Sequence, residues 1–267
     1  MKLRALALGL LLAASSLGTV FAQDWAKERL NKSPRHSEWV DLKHGDRTVK
    51  AFVVYPEVKT KAPAVLVIHE IFGLTDWARN LADELAAAGC IAIAPDLLSA
   101  PGKDTQSYPD QGAAIKAVSA LTDPQIFPDM DAAADYAMKL PACNGTLAVT
   151  GFCWGGGKSF AYANHNPHLK AAFVFYGLGP EVAAQAANIS CPVYGFYGED
   201  DARIDATIPQ TKEIMQKAGK TYEPTIYPGA GHGFMRAGEA PDASEANRKA
   251  HDSAWERWKS LLKKLER

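Results

Sequence analysis

The sequence predicts an α/β fold, a mostly parallel sheet flanked by helices on both faces, and three observations carry that expectation. Continuous apolar runs at residues 63–68, 91–94 and 171–176 have the length and composition of strands buried on both faces. Stretches of helical period separate them, the alternation that lets parallel strands connect by crossovers. At 267 residues, 47% of them hydrophobic and 22% charged, the chain can bury one large core, so one domain accounts for the mature chain.

Each element has its own local reason. Residues 24–32 can form a short helix that Pro34 ends, and 38–42 and 48–55 alternate as strands joined by a hairpin turn at His44-Gly45-Asp46. The buried strand 63–68 is followed by a helix over 77–88 closed by Gly89, and strand 91–94 stops at Pro95-Asp96. Between 97 and 112 the composition turns to Ser, Pro, Gly and Asp, a loop long enough to be a surface element beside a site. Helices are expected at 113–121 and 129–139, the second beginning after Pro128, then a strand running into Gly151. Strands at 171–176, 192–197 and 223–227 and a helix at 209–218 repeat the alternation. A closing amphipathic helix at 251–265 offers Trp255, Trp258, Leu261, Leu262 and Leu265 to the sheet.

The first 22 residues stand outside this scheme. Lys2 and Arg4 precede an apolar run from Ala5 to Ala14, and Val20-Phe21-Ala22 suits cleavage before Gln23, so 1–22 reads as a signal peptide and 23–267 as the mature domain. The expected location is outside the cytoplasm, periplasmic in a Gram-negative source, with no membrane attachment after cleavage. Export gives weight to Cys90, Cys143, Cys153 and Cys191, which lack metal-site spacing; Cys90 and Cys191, beside strands, are expected as small buried apolar residues. A net charge of -1 and the absence of any dense basic tract give no reason to expect nucleic acid.

The chemistry concentrates in Gly151-Phe152-Cys153-Trp154-Gly155, set between an apolar strand and a stretch that can continue as a helix. That is the setting of a nucleophile elbow, with cysteine in the place of serine. Glycine is needed on both flanks because side chains there would collide, and a helix N-terminus beside the sulfur favours the reactive thiolate. An acid is then expected after a later strand and a histidine after the last one. Asp201, in Gly198-Glu199-Asp200-Asp201, and His232, in Gly231-His232-Gly233-Phe234, occupy those places. His232 is suited to moving the proton and Asp201 to fixing its tautomer, with Glu199 and Asp200 as adjacent competitors. The backbone N–H groups of Trp154 and Ile71 are the expected oxyanion donors. The remaining histidines read as solvated or structural; His69, ending a buried strand, is expected to hydrogen-bond at the sheet rim.

With these residues in place the chain resembles the dienelactone hydrolase family of α/β-hydrolases from about Ser37 to the end. The resemblance rests on His69-Glu70-Ile71-Phe72-Gly73, Pro95-Asp96-Leu97, the cysteine elbow with Gly156, Gly198-Glu199-Asp200-Asp201 and Gly231-His232-Gly233-Phe234, in family order. It implies that Glu70 contacts the nucleophile at rest and holds it neutral until substrate moves the acid, since a carboxylate disfavours a second negative charge beside it. It also implies that Arg236 binds a substrate carboxylate. Family members active on dienelactone carry an aromatic residue and an arginine shortly after Pro-Asp-Leu. Here Leu98, Ser99 and Ala100 follow, and Arg203 is a candidate replacement that the sequence does not place.

The expectation is therefore a monomeric hydrolase of a small-molecule ester or lactone, working through a Cys153–His232–Asp201 triad and an acyl-thioester, with no metal or organic cofactor. A general small-ester or thioester hydrolase and a non-catalytic thiol protein on the same fold are the alternatives.

Overall fold

A computed structural model of the chain describes residues 23–266. The signal peptide expected at 1–22 lies outside the described residues.

Eight strands form one sheet in the order β1-β2-β4-β3-β5-β6-β7-β8. Strands β1 (Ser37–His44) and β2 (Arg47–Val54) make the expected hairpin, and β2 also lies antiparallel to β4 (Ile91–Pro95). From β4 onward the sheet is parallel through β3 (Ala62–Ile68), β5 (Cys143–Phe152), β6 (Ala171–Phe175), β7 (Val193–Gly198) and β8 (Tyr222–Tyr227). The carboxyl ends of these parallel strands therefore share one rim.

The apolar runs are continuous because both faces are covered. On β3, Val65 and Val67 belong to one core cluster and Ala64, Leu66 and Ile68 to the other, as the two-residue period of a strand requires. The first cluster takes Trp77, Leu81 and Leu85 from α2 (Asp76–Ala87), with Ala26 from α1 (Asp24–Asn31) beside them. The closing helix, named α9 below, adds Trp258, whose ring packs within 4.7 Å of Phe175 and 6.0 Å of Phe152. The second cluster takes Ile126, Met130 and Ala133 from α4 (Asp123–Lys139), with α3 (Gln111–Ser119) beside it at the rim. Helix α5 (Trp154–His165) contributes Phe160 and Tyr162 to this second face.

Several boundaries differ from the expectation. Helix α4 begins at Asp123 and runs through Pro128 instead of starting after it. Gln125 Oε1 accepts the Thr122 backbone N–H at 2.9 Å, and Pro124 stands in the first turn, where no N–H is needed. That start outweighs the single hydrogen bond Pro128 removes. After α6 (Ala202–Asp205) and α7 (Ile208–Lys217), a short α8 (Phe234–Glu239) follows the histidine loop, where no helix was expected. Helix α9 spans Glu245–Leu262, six residues longer at its start, because Ser244 accepts the Asn247 N–H at 3.2 Å. The four cysteines are unpaired, with Cys90, Cys143 and Cys191 buried and Cys153 partly exposed. No helix among the described residues is long and apolar enough to cross a membrane.

Trp258 is fully buried where α9 meets the centre of the sheet. Trp258→Ala is expected to cost about 3–5 kcal/mol by opening a cavity there, read as a lowered urea midpoint.

Candidate active site

The turn from β5 into α5 holds Cys153 at φ 56° and ψ −116°, a left-handed conformation uncommon for a residue with a side chain. Two glycines make it possible. A Cβ on Gly151 would lie 2.0 Å from the Gly155 carbonyl oxygen, and one on Gly155 would lie 2.3 Å from the His69 oxygen. The Cys153 N–H donates to Phe175 O at 3.0 Å, and its own carbonyl accepts from Gly156 N–H at 3.0 Å, so the residue is fixed to β6 and to α5. The sulfur thus stands at the rim, at the N-terminus of a twelve-residue helix.

The loops after β7 and β8 are joined to each other. A Cβ on Gly198 would meet Ala230 O at 2.4 Å, and the Asp200 N–H donates to Ala230 O at 2.9 Å. This close approach brings the buried Asp201 carboxylate to His232, whose Nδ1 hydrogen-bonds Asp201 Oδ2. Of the adjacent acids, Asp200 is exposed and Glu199 is spent on the Gly229 N–H at 2.9 Å, so Asp201 is the one that pairs with the imidazole. The His232 pKa is raised to about 9, first by the Cys153 sulfur and then by Asp201, against desolvation. Imidazole and carboxylate are therefore direct partners, and Tyr176 links the ring to the cleft that Cys153 lines.

Glu70 and Arg236 were expected to meet the nucleophile and the substrate respectively. Here they meet each other: Arg236 Nε donates to Glu70 Oε2 at 2.8 Å, and the guanidinium lies 5.2 Å from the centre of the Phe72 ring. Burial pushes the Glu70 carboxyl up, while Arg236 and His232 pull it down. His69 is fully buried and neutral, its pKa lowered by burial. With its Nδ1–H on Glu70 O at 2.7 Å and its ring stacked on Trp154 at 5.7 Å, it fixes the turn after β3 against the elbow. Neither the Ile71 nor the Trp154 backbone N–H has an acceptor among the described residues. Both residues line the cleft that holds Cys153.

One residue of the site was not identified from the sequence, and another was named there without a place. Tyr176, at the end of the 171–176 run, has φ 39°, packs edge-on against His232 at 5.1 Å and is fully buried. Its hydroxyl has no hydrogen-bond partner among the described residues, and burial beside Glu70 pushes its pKa well up, so it stays protonated. The sequence offers no signal for this, because an unpartnered hydroxyl is a property of the packed site. Arg203, which the sequence left unplaced, lines the same cleft from α6, and no carboxylate among the described residues lies within ion-pair distance of it. The segment after Pro95-Asp96 supplies no cation: Ser99 is buried and turned inward, its Oγ donating to Asp96 O at 2.6 Å.

A parallel sheet entered through a hairpin, a strained elbow residue after β5, and an acid and a histidine after the last two strands define an α/β-hydrolase. Within that class the chain belongs to the dienelactone hydrolase family, whose family profile matches residues 49–266. A Methylorubrum extorquens protein named "Putative carboxymethylenebutenolidase" is 36% identical over 200 residues, covering 71% of this chain and 69% of that protein. A Salmonella typhimurium protein of the same name is 33% identical over 219 residues, 78% of this chain and 79% of the relative. A crystal structure titled as a "Putative Dienelactone Hydrolase" from Klebsiella pneumoniae superposes with a TM-score of 0.75 at 30% identity, covering 85% of this chain and 98% of that one. Fold and family together make the protein a dienelactone hydrolase-like hydrolase.

The raised pKa of His232 has a signed consequence. Its folded value near 9 exceeds the ordinary 6.5, so the stabilisation it brings is complete below about 6.5 and is lost as pH rises through about 9. The stability difference between wild type and His232→Gln, from urea titrations at neutral and alkaline pH, is expected to shrink over that interval.

Proposed function

We propose that catalysis runs through Cys153, His232 and Asp201 with an acyl-thioester intermediate. The observation that carries this reading is the His232 ring, which is bonded through Nδ1 to the buried Asp201 carboxylate and packs edge-on against Tyr176, a residue of the cleft that Cys153 lines. The Cys153 thiol proton passes to His232 and the sulfur attacks the substrate carbonyl. The Ile71 and Trp154 N–H groups receive the oxyanion that forms. His232 then gives its proton to the leaving oxygen as the C–O bond breaks. A water, losing its proton to His232, cleaves the thioester and restores the thiol.

Glu70 governs the charge on the sulfur, and Arg236 competes for that carboxylate. Paired with Arg236, Glu70 leaves Cys153 free to ionise; turned toward the sulfur, it would oppose thiolate. A substrate carboxylate that engages Arg236 therefore acts on the nucleophile through Glu70. Residues 1–22 act as a cleaved signal peptide, and the mature enzyme works outside the cytoplasm.

Intact-mass spectrometry after brief exposure to esters and lactones is expected to find the acyl group on Cys153 and a mature chain beginning at Gln23. Cys153→Ala should abolish turnover, and acylation persisting in that variant would refute the assignment. Asp201→Asn is expected to lower kcat by about ten-thousand-fold with little change in KM. Asp200→Asn should leave both near wild type, and the reverse result would exchange the two acids.

A further inference from the structure

The cleft that holds Cys153 is larger than a small lactone requires. It encloses about 790 Å³ and follows α5 from the sulfur to Asn164 and His165 in the last turn. At the helical rise of 1.5 Å per residue that is a trough about 17 Å long. Gly157 and Ala161, each four positions further along the helix, face it with little bulk. Trp154, Phe127 and Phe160 line it, with Leu178 from the loop after β6. Lys158, also in the trough, is neutralised by Asp123 at 2.6 Å and lies 5.4 Å from the centre of the Trp154 ring. Arg203 and Glu181, exposed and of opposite sign, also line it.

The direction of the trough relative to the reaction is informative. Neither His232 nor any residue of α8 lines it, whereas Cys153, Trp154 and Ile71 do. His232 hands its proton to the leaving oxygen, so the alcohol departs on the histidine side and the trough lies on the side of the acyl group. Tyr176, whose buried hydroxyl has no partner among the described residues, closes the trough at the Cys153 end.

We infer that this trough is an acyl-binding groove, and that the enzyme's substrates are esters of an extended carboxylic acid whose chain is apolar where it passes Trp154 and Leu178. The inference rests on Cys153 being the nucleophile. Apolar carbon buried in such a groove raises kcat/KM with each added methylene until the groove is filled.

The test compares kcat/KM for p-nitrophenyl decanoate, kept below its micelle concentration, with that for p-nitrophenyl acetate. Wild type is expected to prefer decanoate by about tenfold or more. Ala161→Trp, which blocks the trough from its floor, should lower the decanoate-to-acetate ratio by about tenfold, and Leu178→Trp, which narrows it beside Gly157, should lower the ratio too. A wild-type ratio near one, or a ratio that neither folded variant changes, overturns the groove. If wild type turns over neither ester and Cys153 is not acylated by either, the nucleophile assignment falls and the groove falls with it.

Discussion

The closeness of two backbones sets where the Cys153 sulfur stands. A Cβ on Gly177 would lie 2.3 Å from the Gly156 carbonyl carbon, and one on Gly156 would lie 2.6 Å from Phe175 O. The first turn of α5 therefore rests directly on the end of β6, closer than any side chain allows. With Gly151 and Gly155 clearing the turn itself, the chain reverses within one residue, and Cys153 takes the strain as a left-handed conformation. The same contact places the helix N-terminus, the Trp154 N–H and the sulfur at one point on the rim. Every other group of the site is positioned relative to that point.

The partners reach it by the same economy of space. Gly198 lets the loops after β7 and β8 touch, so Asp201 and His232 arrive as a unit, and His69 ties the turn carrying Glu70 and Ile71 to the Trp154 ring. Buried Glu70 is held by the partly exposed Arg236. A carboxylate in a dry site is costly without a partner, so whichever group claims Glu70 decides how much negative charge the neighbourhood tolerates.

Much of this was legible in the sequence because it is local. Runs such as 63–68 and 171–176 announce buried strands, and the glycines around Cys153 announce the turn, since only one backbone shape suits them. The positions of Asp201 and His232 follow from chain order on a parallel sheet. Helix α4 does not wait for Pro128 because the cap at Thr122, six residues earlier, decides where the helix begins. What the letters could not carry are choices made through space. Glu70 selects Arg236 across 166 positions, the Tyr176 hydroxyl is left without a partner, and Arg203 faces the cleft. None of these has a period, a spacing or a propensity to read.

The remaining cysteines have a consequence for the enzyme's chemistry under oxidising conditions. Burial pushes the Cys90 thiol up to about 12 and the Cys191 thiol to about 11, and Cys143 is enclosed near Met138. Peroxide reacts with ionised, reachable sulfur, so these three are spectators. Cys153 alone stands partly exposed at a helix N-terminus beside an imidazole. Among the cysteines, reaction with oxidants is therefore channelled onto the one sulfur that solvent reaches, while the three buried thiols leave the core unchanged.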